Sequence, residues 1–469
     1  MKKTYHVVTF GCQMNERDSE TLAGMLEHMG YEYCPQFKDA DVCVLNTCSV
    51  REHADKRFFG VLGQLKNPHE QDPGRIVCVC GCMMQQQVHI DTMKAKYPWV
   101  DLVFGTHNIA DFPRLFRNVA AEHEKIVDVW KDAGPIAEGL PAKREYPFKA
   151  YVSIMQGCNN FCTYCIVPYT RGRERSRAPE QVLAEIESLA ASGTKEIMLL
   201  GQNVNSYAGV CGSDEAMQGI RSAYGLESGR KVTFPQLLRM IDRIEGIERI
   251  RFMTSHPKDL SDDLIQCFAD LKHLCKQIHL PVQAGSDRVL KEMNRHYDSA
   301  HYLELIEKLR AACPDIAIST DIIVGFPGET EEDFMSTMEL VRKIRYDSAF
   351  TFIYSVRKGT PAERMTDQVP EDIKHQRFDR LLDLIHSIQE EKAAADQDAV
   401  LPVLVEGFSK TDPDVLTGRT ESNKTVDLTV DPGTMEVYGI KCPEELVGRI
   451  IPVKIVKAQT FSLYGKAMI

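Results

Sequence analysis

Short apolar runs alternate with amphipathic stretches along most of this chain, and this rhythm restricts the fold more than any other feature of the sequence. Near the N-terminus the apolar runs lie at residues 5–9, 42–45, 76–79 and 102–104, and amphipathic stretches lie at residues 15–29 and 50–65. A regular alternation of strands and helices indicates parallel βαβ units. The sequence therefore predicts an α/β domain with a doubly wound parallel sheet over residues 3–120.

The rhythm stops after residue 120 and resumes near residue 148. Residues 121–143 contain Gly and Pro breakers, which favour a linker. Six candidate strands follow, at residues 150–155, 196–200, 250–253, 277–281, 317–324 and 349–354. Candidate helices separate them, at residues 179–191, 234–244, 261–271, 300–312 and 331–344. These repeats predict a partial (β/α)6 barrel of the TIM type over residues 144–393, with its chemistry at the C-terminal ends of the strands.

Two further segments differ from these repeats. Residues 206–231 interrupt the barrel pattern and are predicted to form an irregular loop. A charged stretch at residues 372–395 predicts a helix, and β-like segments separated by Gly, Pro, Asn and Asp follow it. Short strands at this spacing predict a small five-stranded β-barrel over residues 394–469, of the kind that binds oligonucleotides.

Composition excludes several classes of protein. Apolar residues make up 43% of the 469 residues and charged residues 26%, which excludes a disordered or collagenous chain. Because there is no run of about 18 apolar residues and no signal peptide pattern, we expect a cytoplasmic protein with no membrane partner. A formal net charge of -11 argues against a general polyanion binder, so a nucleic acid would need a local basic face.

The sharpest chemical signal is a set of three cysteines that we call the late triad: Cys158, Cys162 and Cys165, in the string GCNNFCTYC. The chain has 15 cysteines, too few for a disulfide scaffold, and clustered cysteines in a reducing compartment more often bind metal or carry out redox chemistry. This spacing gathers three thiolates around one point, and thiolates favour iron-sulfur clusters or zinc. Three ligands on a four-iron cluster leave one iron free to chelate a substrate or cofactor.

A structural zinc ion is the alternative for the late triad. Structural zinc prefers paired CxxC or Cys/His sets, and no matching pair follows Cys165. The sequence favours an iron-sulfur cluster, and a zinc ion completed by a distant fourth ligand stays open.

A second set of cysteines, which we call the early triad, is spread over the first domain: Cys12, Cys48 and Cys82, each at the end of a predicted strand. Parallel strands bring their carboxyl ends to one edge of a sheet, so these thiols could meet. The alternative is that they are buried strand cysteines, as we expect for Cys34, Cys43, Cys211, Cys267, Cys275, Cys313 and Cys442. Strand alternation places Cys78 and Cys80 on the same face as Cys82, which we prefer because it lies furthest along the strand.

With both triads in place, the whole chain resembles the methylthiotransferases of the radical S-adenosylmethionine (SAM) superfamily, and among them the MiaB type. That family has an N-terminal cluster domain, a radical SAM barrel and a TRAM domain, in that order. The strings that carry the resemblance are GCQMNERDSE, NTCSVRE, GCNNFCTYCIVPYTRG, LLGQNVNSY, IRFMTSHPKD, HLPVQAGSDRVLKEMNR and TDIIVGFPGETEEDF.

The resemblance implies an enzyme with two 4Fe-4S clusters and SAM. By it, the early triad matches the ligands of an auxiliary cluster, and the late triad matches the catalytic, SAM-cleaving cluster. One SAM would methylate a sulfur of the auxiliary cluster, and a second would give a 5'-deoxyadenosyl radical that activates adenine C2 for methylthio transfer. The implied substrate is N6-isopentenyladenosine at position 37 of tRNA, in the anticodon stem-loop. The implied partners are a flavodoxin- or ferredoxin-like electron donor and a sulfur donor.

Candidate SAM contacts follow from the resemblance and from the predicted strand ends. They are Tyr164 within the late triad and Gln202, Asn203, Ser255, Gln283, Asp321 and Gly325 after successive barrel strands. Each of the residues at strand ends could instead be an ordinary loop hydrogen-bonder.

Basic and aromatic residues supply candidates for tRNA contact. The run Arg171, Arg173, Arg175 and Arg177 is either a solvated face or a site for phosphate or carboxylate. In the last domain Lys454, Lys457 and Lys466 are the basic candidates, with Phe461 and Tyr464 available to stack on bases.

Two rival functions stay open. Related methylthiotransferases modify threonylcarbamoyladenosine in tRNA or an aspartate of a ribosomal protein. A protein of another class, a non-catalytic iron-sulfur scaffold or a redox-sensing RNA-binding protein, would carry the same clusters without turnover.

Overall fold

A computed structural model describes residues 2–49, 52–72, 74–122 and 124–468. The first domain is the predicted doubly wound sheet. Its elements are β1 (Thr4–Thr9), α1 (Gln13–His28), β2 (Glu32–Tyr33), β3 (Val42–Thr47), α2 (Glu52–Gln71), β4 (Ile76–Gly81), α3 (Gln87–Lys96), β5 (Leu102–Phe104), α4 (Phe112–Glu122) and β6 (Ile126–Asp128). The six strands are parallel, in the order β2-β1-β3-β4-β5-β6.

Strands β3 and β4 are buried along their whole length, because a hydrophobic core covers each face of the sheet. The predicted amphipathic stretch at residues 50–65 corresponds to α2, and its first two residues lie outside the described residues. The linker predicted at residues 121–143 contains β6, which the sequence analysis missed. This strand has three residues, too few to show a period, and it forms by pairing with β5.

The second domain contains the predicted barrel. Its elements are β7 (Lys149–Ser153), β8 (Met155–Gln156), α5 (Val167–Thr170), β9 (Arg175–Ser176), α6 (Pro179–Ala191), β10 (Glu196–Leu200), β11 (Ala208–Val210), α7 (Gln218–Ala223), β12 (Lys231–Thr233), α8 (Phe234–Ile241), β13 (Arg249–Phe252), α9 (Asp262–Asp270), β14 (Gln277–His279), α10 (Asp287–Glu292), α11 (Ser299–Ala312), β15 (Ala317–Val324), α12 (Glu331–Ile344), β16 (Ser348–Ile353) and α13 (Glu371–Ala394).

Six parallel strands form the partial barrel in two ladders, β7-β10-β13 and β14-β15-β16. A parallel bridge between Ile250 and Leu274 joins the ladders. The prediction of an irregular loop at residues 206–231 was wrong, since this segment begins with β11, which pairs with β12, and contains α7. The pairing joins residues as far apart as Ala208 and Thr233, a contact that local sequence does not reveal.

The last domain is a closed five-stranded barrel, as predicted, in the order β17-β18-β19-β21-β20. Its elements are β17 (Val400–Phe408), β18 (Leu416–Thr420), β19 (Thr425–Thr429), α14 (Pro432–Val437), β20 (Ile450–Ala458) and β21 (Leu463–Ala467). Arg251 fastens this barrel to the central one, because its guanidinium donates to the carbonyls of Thr420 and Glu421 at 2.7 and 2.8 Å. Within the described ranges, no helix is long and apolar enough to cross a membrane.

Five of the seven cysteines predicted to be buried are buried: Cys43, Cys211, Cys267, Cys275 and Cys313. The prediction was wrong for Cys34 and Cys442, which are partly exposed. Neither lies inside a strand. Cys34 follows β2, and Cys442 precedes a short 3-10 helix.

Candidate active site

The early triad lies at one edge of the N-terminal sheet. Cys12 caps α1 after β1, Cys48 follows β3 and Cys82 begins a 3-10 helix after β4. These three strands are neighbours, so their carboxyl ends bring the three cysteines together. Burial raises the pKa of the Cys82 thiol to about 11; nearby Arg171 lowers that pKa, and Cys48 and Cys12 raise it.

A glycine before Cys82 makes this arrangement possible. Gly81 has a φ of +97°, which L side chains rarely adopt, and a Cβ there would stand 2.6 Å from the Thr47 nitrogen and closer still to its carbonyl oxygen. The end of β4 therefore packs directly against the end of β3, beside Cys48. The late triad has a similar feature, since Gly157 before Cys158 has a φ of +79° and a Cβ there would overlap the Arg173 carbonyl.

The turn at Gly81 also separates Cys82 from the cysteines of β4. Cys78 and Cys80 are fully buried in the core of the first domain, beside Val44 and Phe104. The expectation that all three share one strand face was wrong, because Cys82 lies beyond the strand.

The late triad lies in the loop that follows β8, next to the C-terminal ends of the barrel strands. Cys158 and Cys162 are buried and Cys165 is half-buried. The Cys165 amide donates to the Cys162 carbonyl at 2.9 Å, and the Cys158 amide donates to the Gly172 carbonyl at 3.1 Å. Burial raises the pKa of Cys158 to about 11 and that of Cys165 to about 12. A bound metal would replace these protons, which are released, and would stabilise the thiolates, as in other cysteine-ligated metal sites.

The loops of the two triads contact each other across the domain boundary. Nε of Arg171, which lies in the loop of the late triad, is 3.1 Å from Sγ of Cys82. The Thr106 hydroxyl donates to the Thr170 carbonyl at 2.7 Å. A cavity of about 380 Å³ opens beside both loops, and its lining includes Ser49, Gln86, Ile166 and Arg357. The two triads thus belong to one composite site.

Within the described part of the chain, no three His, Cys, Asp or Glu side chains are placed to hold a single metal ion. A single ion draws all its ligands to one centre, whereas each thiolate of a four-iron cluster binds a different iron atom. The three thiols of each triad have the donor chemistry of iron-sulfur ligands, since cysteine thiolates hold such clusters.

Comparison with known protein families divides the chain into three parts. Residues 4–105 match an uncharacterized protein family, UPF0004, residues 152–341 match the radical SAM superfamily, and residues 398–468 match the TRAM domain. A relative from Thermoanaerobacter sp. (strain X514) is 49% identical over 98% of this chain and 92% of its own length. A relative from Clostridium perfringens (strain SM101 / Type A) is 49% identical over 99% of this chain and 98% of its own length. Both are named tRNA-2-methylthio-N(6)-dimethylallyladenosine synthase.

The chain belongs to the tRNA-2-methylthio-N(6)-dimethylallyladenosine synthase family. This confirms the resemblance drawn from the cysteine motifs, and it makes the chain a radical SAM enzyme. The fold of this synthase also resembles a solved one. The radical SAM methyltransferase TsrM from Kitasatospora setae aligns with a TM-score of 0.54 at 14% identity, over 77% of each chain.

The predicted SAM contacts of the synthase surround the mouth of the barrel. Gln202 accepts a hydrogen bond from the Gly157 amide at 2.5 Å, and Asn203 donates to Asp259 at 2.7 Å. Oδ1 of Asn203 and Oγ of Ser255 are buried without a hydrogen-bond partner. Two orphaned polar atoms at adjacent strand ends fit a polar ligand that would satisfy them.

Of the other predicted SAM contacts, two are linked by a backbone hydrogen bond and two pack against other side chains. Gln283 and Asp321 are joined through the backbone, since the Gln283 amide donates to the Asp321 carbonyl at 2.8 Å. Tyr164 packs on a small core cluster that includes Phe326. Gly325 fits a packing role better than a cofactor contact, because a Cβ there would meet the Lys374 side chain.

Three of the four arginines in the run after the late triad are paired within the protein, so these three form neither a solvated face nor a free phosphate site. Arg171 and Arg177 are buried and paired with carboxylates, and Arg175 donates to the Gly134 carbonyl and to Gln156. Arg173 is exposed. Arg171 joins the barrel domain to the first domain, and Arg175 and Arg177 join it to the segment around residues 134–138.

Sequence analysis missed the role of the polar residues beside the triads. Asn15, Arg171 and Arg295 contact triad thiols, and Asp18 pairs with Arg171. One signal was available. Asn15 and Asp18 are three residues apart on a predicted helix that begins just after Cys12, so they share one face of that helix.

Proposed function

We propose that this synthase methylthiolates N6-isopentenyladenosine at position 37 of tRNA, adding the group at adenine C2. The observation that carries the proposal is the contact between the loops of two cysteine triads, one on each domain, in a chain that is 49% identical to named synthases over nearly its full length. We assign residues 3–128 to the auxiliary-cluster domain, since β6 completes its sheet, residues 144–393 to the radical SAM core and residues 394–469 to the TRAM domain.

Two 4Fe-4S clusters fit the six cysteines. In this assignment Cys12, Cys48 and Cys82 hold the auxiliary cluster and Cys158, Cys162 and Cys165 hold the catalytic one. When bound, the clusters and SAM supply an electron, a methyl group and a means of hydrogen abstraction. The chain's own residues position these groups and keep water out, since most of the triad thiols are buried. Asn203 and Ser255 are the first candidates to hold SAM, because each has an orphaned buried atom.

We propose that tRNA also contacts the last domain. Phe461 is 74% exposed and Tyr464 is 40% exposed, so both rings are accessible to a partner. Aromatic rings of this kind can stack on unpaired bases of a loop. A flavodoxin- or ferredoxin-like reductant would supply electrons, and a sulfur donor is needed because each turnover removes one sulfur. These needs fit the cytoplasm, where thiols stay reduced.

Iron content is the first test of the cluster assignment. After anaerobic reconstitution we expect about eight irons per chain. Cys82→Ala and a Cys158→Ala/Cys162→Ala/Cys165→Ala variant should each lose about half of them. Cys80→Ala is the matched control, since Cys80 lies two residues away in the core. Equal iron loss in Cys80→Ala and Cys82→Ala would contradict the early triad.

Product analysis tests the substrate. The reduced protein is incubated with SAM and separately with tRNA carrying isopentenyladenosine, tRNA carrying threonylcarbamoyladenosine, and ribosomal protein. We expect the methylthio mass only on the first. Product on either of the others would replace the proposed substrate, and intact clusters that release no 5'-deoxyadenosine would favour a non-catalytic scaffold.

A further inference from the structure

Arg171 is a buried side chain that the barrel domain contributes to the early triad. It is 4% exposed, and its Nε donates to Sγ of Cys82 at 3.1 Å. Its Nη2 donates to Oδ1 of Asn15 at 2.8 Å and to Oδ2 of Asp18 at 2.6 Å. Its three partners all belong to the N-terminal domain, so a cation from the other domain completes the surroundings of this triad.

Arg295 has the corresponding place beside the late triad. It is 7% exposed, and its Nη1 donates to Sγ of Cys162 at 3.4 Å. Its other hydrogen bonds go to the Pro281 carbonyl at 2.8 Å and the Tyr297 hydroxyl at 2.9 Å. In each triad, one thiol therefore accepts a hydrogen bond from one buried guanidinium.

The charge balance of the two arginines differs. Arg171 forms an ion pair with Asp18, in which both side chains are nearly buried. The hydrogen-bond partners of Arg295 are a hydroxyl, a carbonyl and a thiol, none of them a carboxylate. Asp18 offsets the charge that Arg171 presents to Cys82, and among the described residues no hydrogen-bonded carboxylate does so for Arg295.

Hydrogen bonds and charges next to the sulfur ligands are the means by which a protein sets the reduction potential of an iron-sulfur cluster. The reduced cluster is more negative by one charge, so a cation favours reduction and an anion opposes it, most strongly where water is excluded. We propose that Arg171 and Arg295 are positioning residues that orient Cys82 and Cys162 and raise the potentials of the auxiliary and catalytic clusters, with Asp18 partly offsetting Arg171. The inference rests on the proposed function, because it requires both clusters.

This assignment gives the domain boundary a role. Arg171 follows Cys165 by one short helix, α5, so a ligand of one cluster and the cation beside the other cluster share one loop. Separation of the domains would remove Arg171 from Cys82, and the auxiliary potential would fall. The potential of that cluster thus depends on domain docking.

A redox titration of the reconstituted full-length protein, followed by electron paramagnetic resonance, tests the inference. Added SAM changes the signal of the catalytic cluster and so identifies it. We expect Arg171→Met to shift the auxiliary potential to a more negative value and Asp18→Asn to shift it to a more positive one, both without moving the catalytic potential. Arg295→Met should lower the catalytic potential alone.

Opposite shifts from Arg171→Met and Asp18→Asn separate an electrostatic role from a merely structural one, because loosening of the site would move both variants in the same direction. Arg173→Met is the control, since Arg173 is exposed on the same loop. If Arg171→Met fails to fold, Asp18→Asn and the double variant Arg171→Met/Asp18→Asn still test the direction in which the auxiliary potential shifts. Two bound clusters whose potentials do not move would overturn the inference, whereas a wild-type chain without two clusters would overturn the proposed function.

Discussion

Replacement of Gly81 by alanine tests whether the close approach of β4 to β3 builds the early triad. Two costs act at this position. A non-glycine residue at a φ of +97° costs about 1–3 kcal/mol. The new Cβ would also stand 2.5 Å from Oδ1 of Asn46 and 2.6 Å from the Thr47 nitrogen, an overpacking that costs a further 1–3 kcal/mol or so.

Gly30→Ala is the matched control because it separates these two costs. Gly30 has a similar φ of +91°, in the same domain, and a Cβ added there would have no other atom within 4 Å. It should show the conformational cost alone. We therefore expect Gly81→Ala to lower the free energy of unfolding of the first domain by about 2–6 kcal/mol, roughly 1–3 kcal/mol more than Gly30→Ala.

Urea unfolding of the metal-free chain, followed by thiol labelling of Cys78 and Cys80, measures this difference. Both thiols are fully buried in the core of the first domain, so their labelling reports its unfolding. In reconstituted protein, Gly81→Ala should also retain only about half of roughly eight irons, while Gly30→Ala retains all of them. Equal stability and equal iron content in the two variants would refute the reasoning.

Three further predictions concern other parts of the chain. Arg251→Met should remove the nearer of the two arginines that pair with the buried carboxylate of Glu196 and leave only Arg249, at 3.8 Å. We expect a cost of up to about 3–5 kcal/mol, and protease should reach the last domain sooner than in exposed Arg230→Met. Phe461→Ala should weaken tRNA binding about 5- to 150-fold, because it removes base stacking worth about 1–3 kcal/mol. The Kd for tRNA is compared with that of Val437→Ala, whose side chain is also exposed, and equal Kd values in the two variants would contradict the prediction. Burial, Arg175 and Arg171 lower the pKa of His107 to about 4. Because the unfolded chain then binds more protons than the folded one, stability should fall as pH drops from about 6.5 to 4, and His107→Asn should reduce this slope in urea titrations.

Docking of the first domain on the barrel relies on charged groups as well as on the loops of the triads. Arg144 donates to Glu20 of α1 at 2.7 Å and to Glu185 of α6 at 2.8 Å, so a single guanidinium joins the two domains. Arg177 pairs with the same Glu185 at 2.7 Å. These ion pairs are largely shielded from water, and in such surroundings the loss of one partner costs more than the pair gains. They hold the composite site in one geometry.

Periodic segments were the part of this fold that sequence patterns could predict. The strands at Glu196–Leu200 and Ala317–Val324 and the helices at Pro179–Ala191 and Glu331–Ile344 have their predicted bounds, because each buries one face or both over several turns or residues. Strand β6 and the β11–β12 pair were missed. Three-residue strands form by pairing with a distant segment of the chain, and such pairing leaves no local signal in the sequence.

The sequence by itself determined the kinds of domain, the motif spacing that gathers Cys158, Cys162 and Cys165, and the family. Such features depend on neighbours within a few residues or on the period of a single element. Only the tertiary structure decided that Cys82 turns away from Cys80 at Gly81, that Arg171 reaches the opposite domain, and that the arginine run is mostly paired. Each of those facts depends on contacts between residues far apart along the chain, where burial and the choice of partner follow from how whole domains pack.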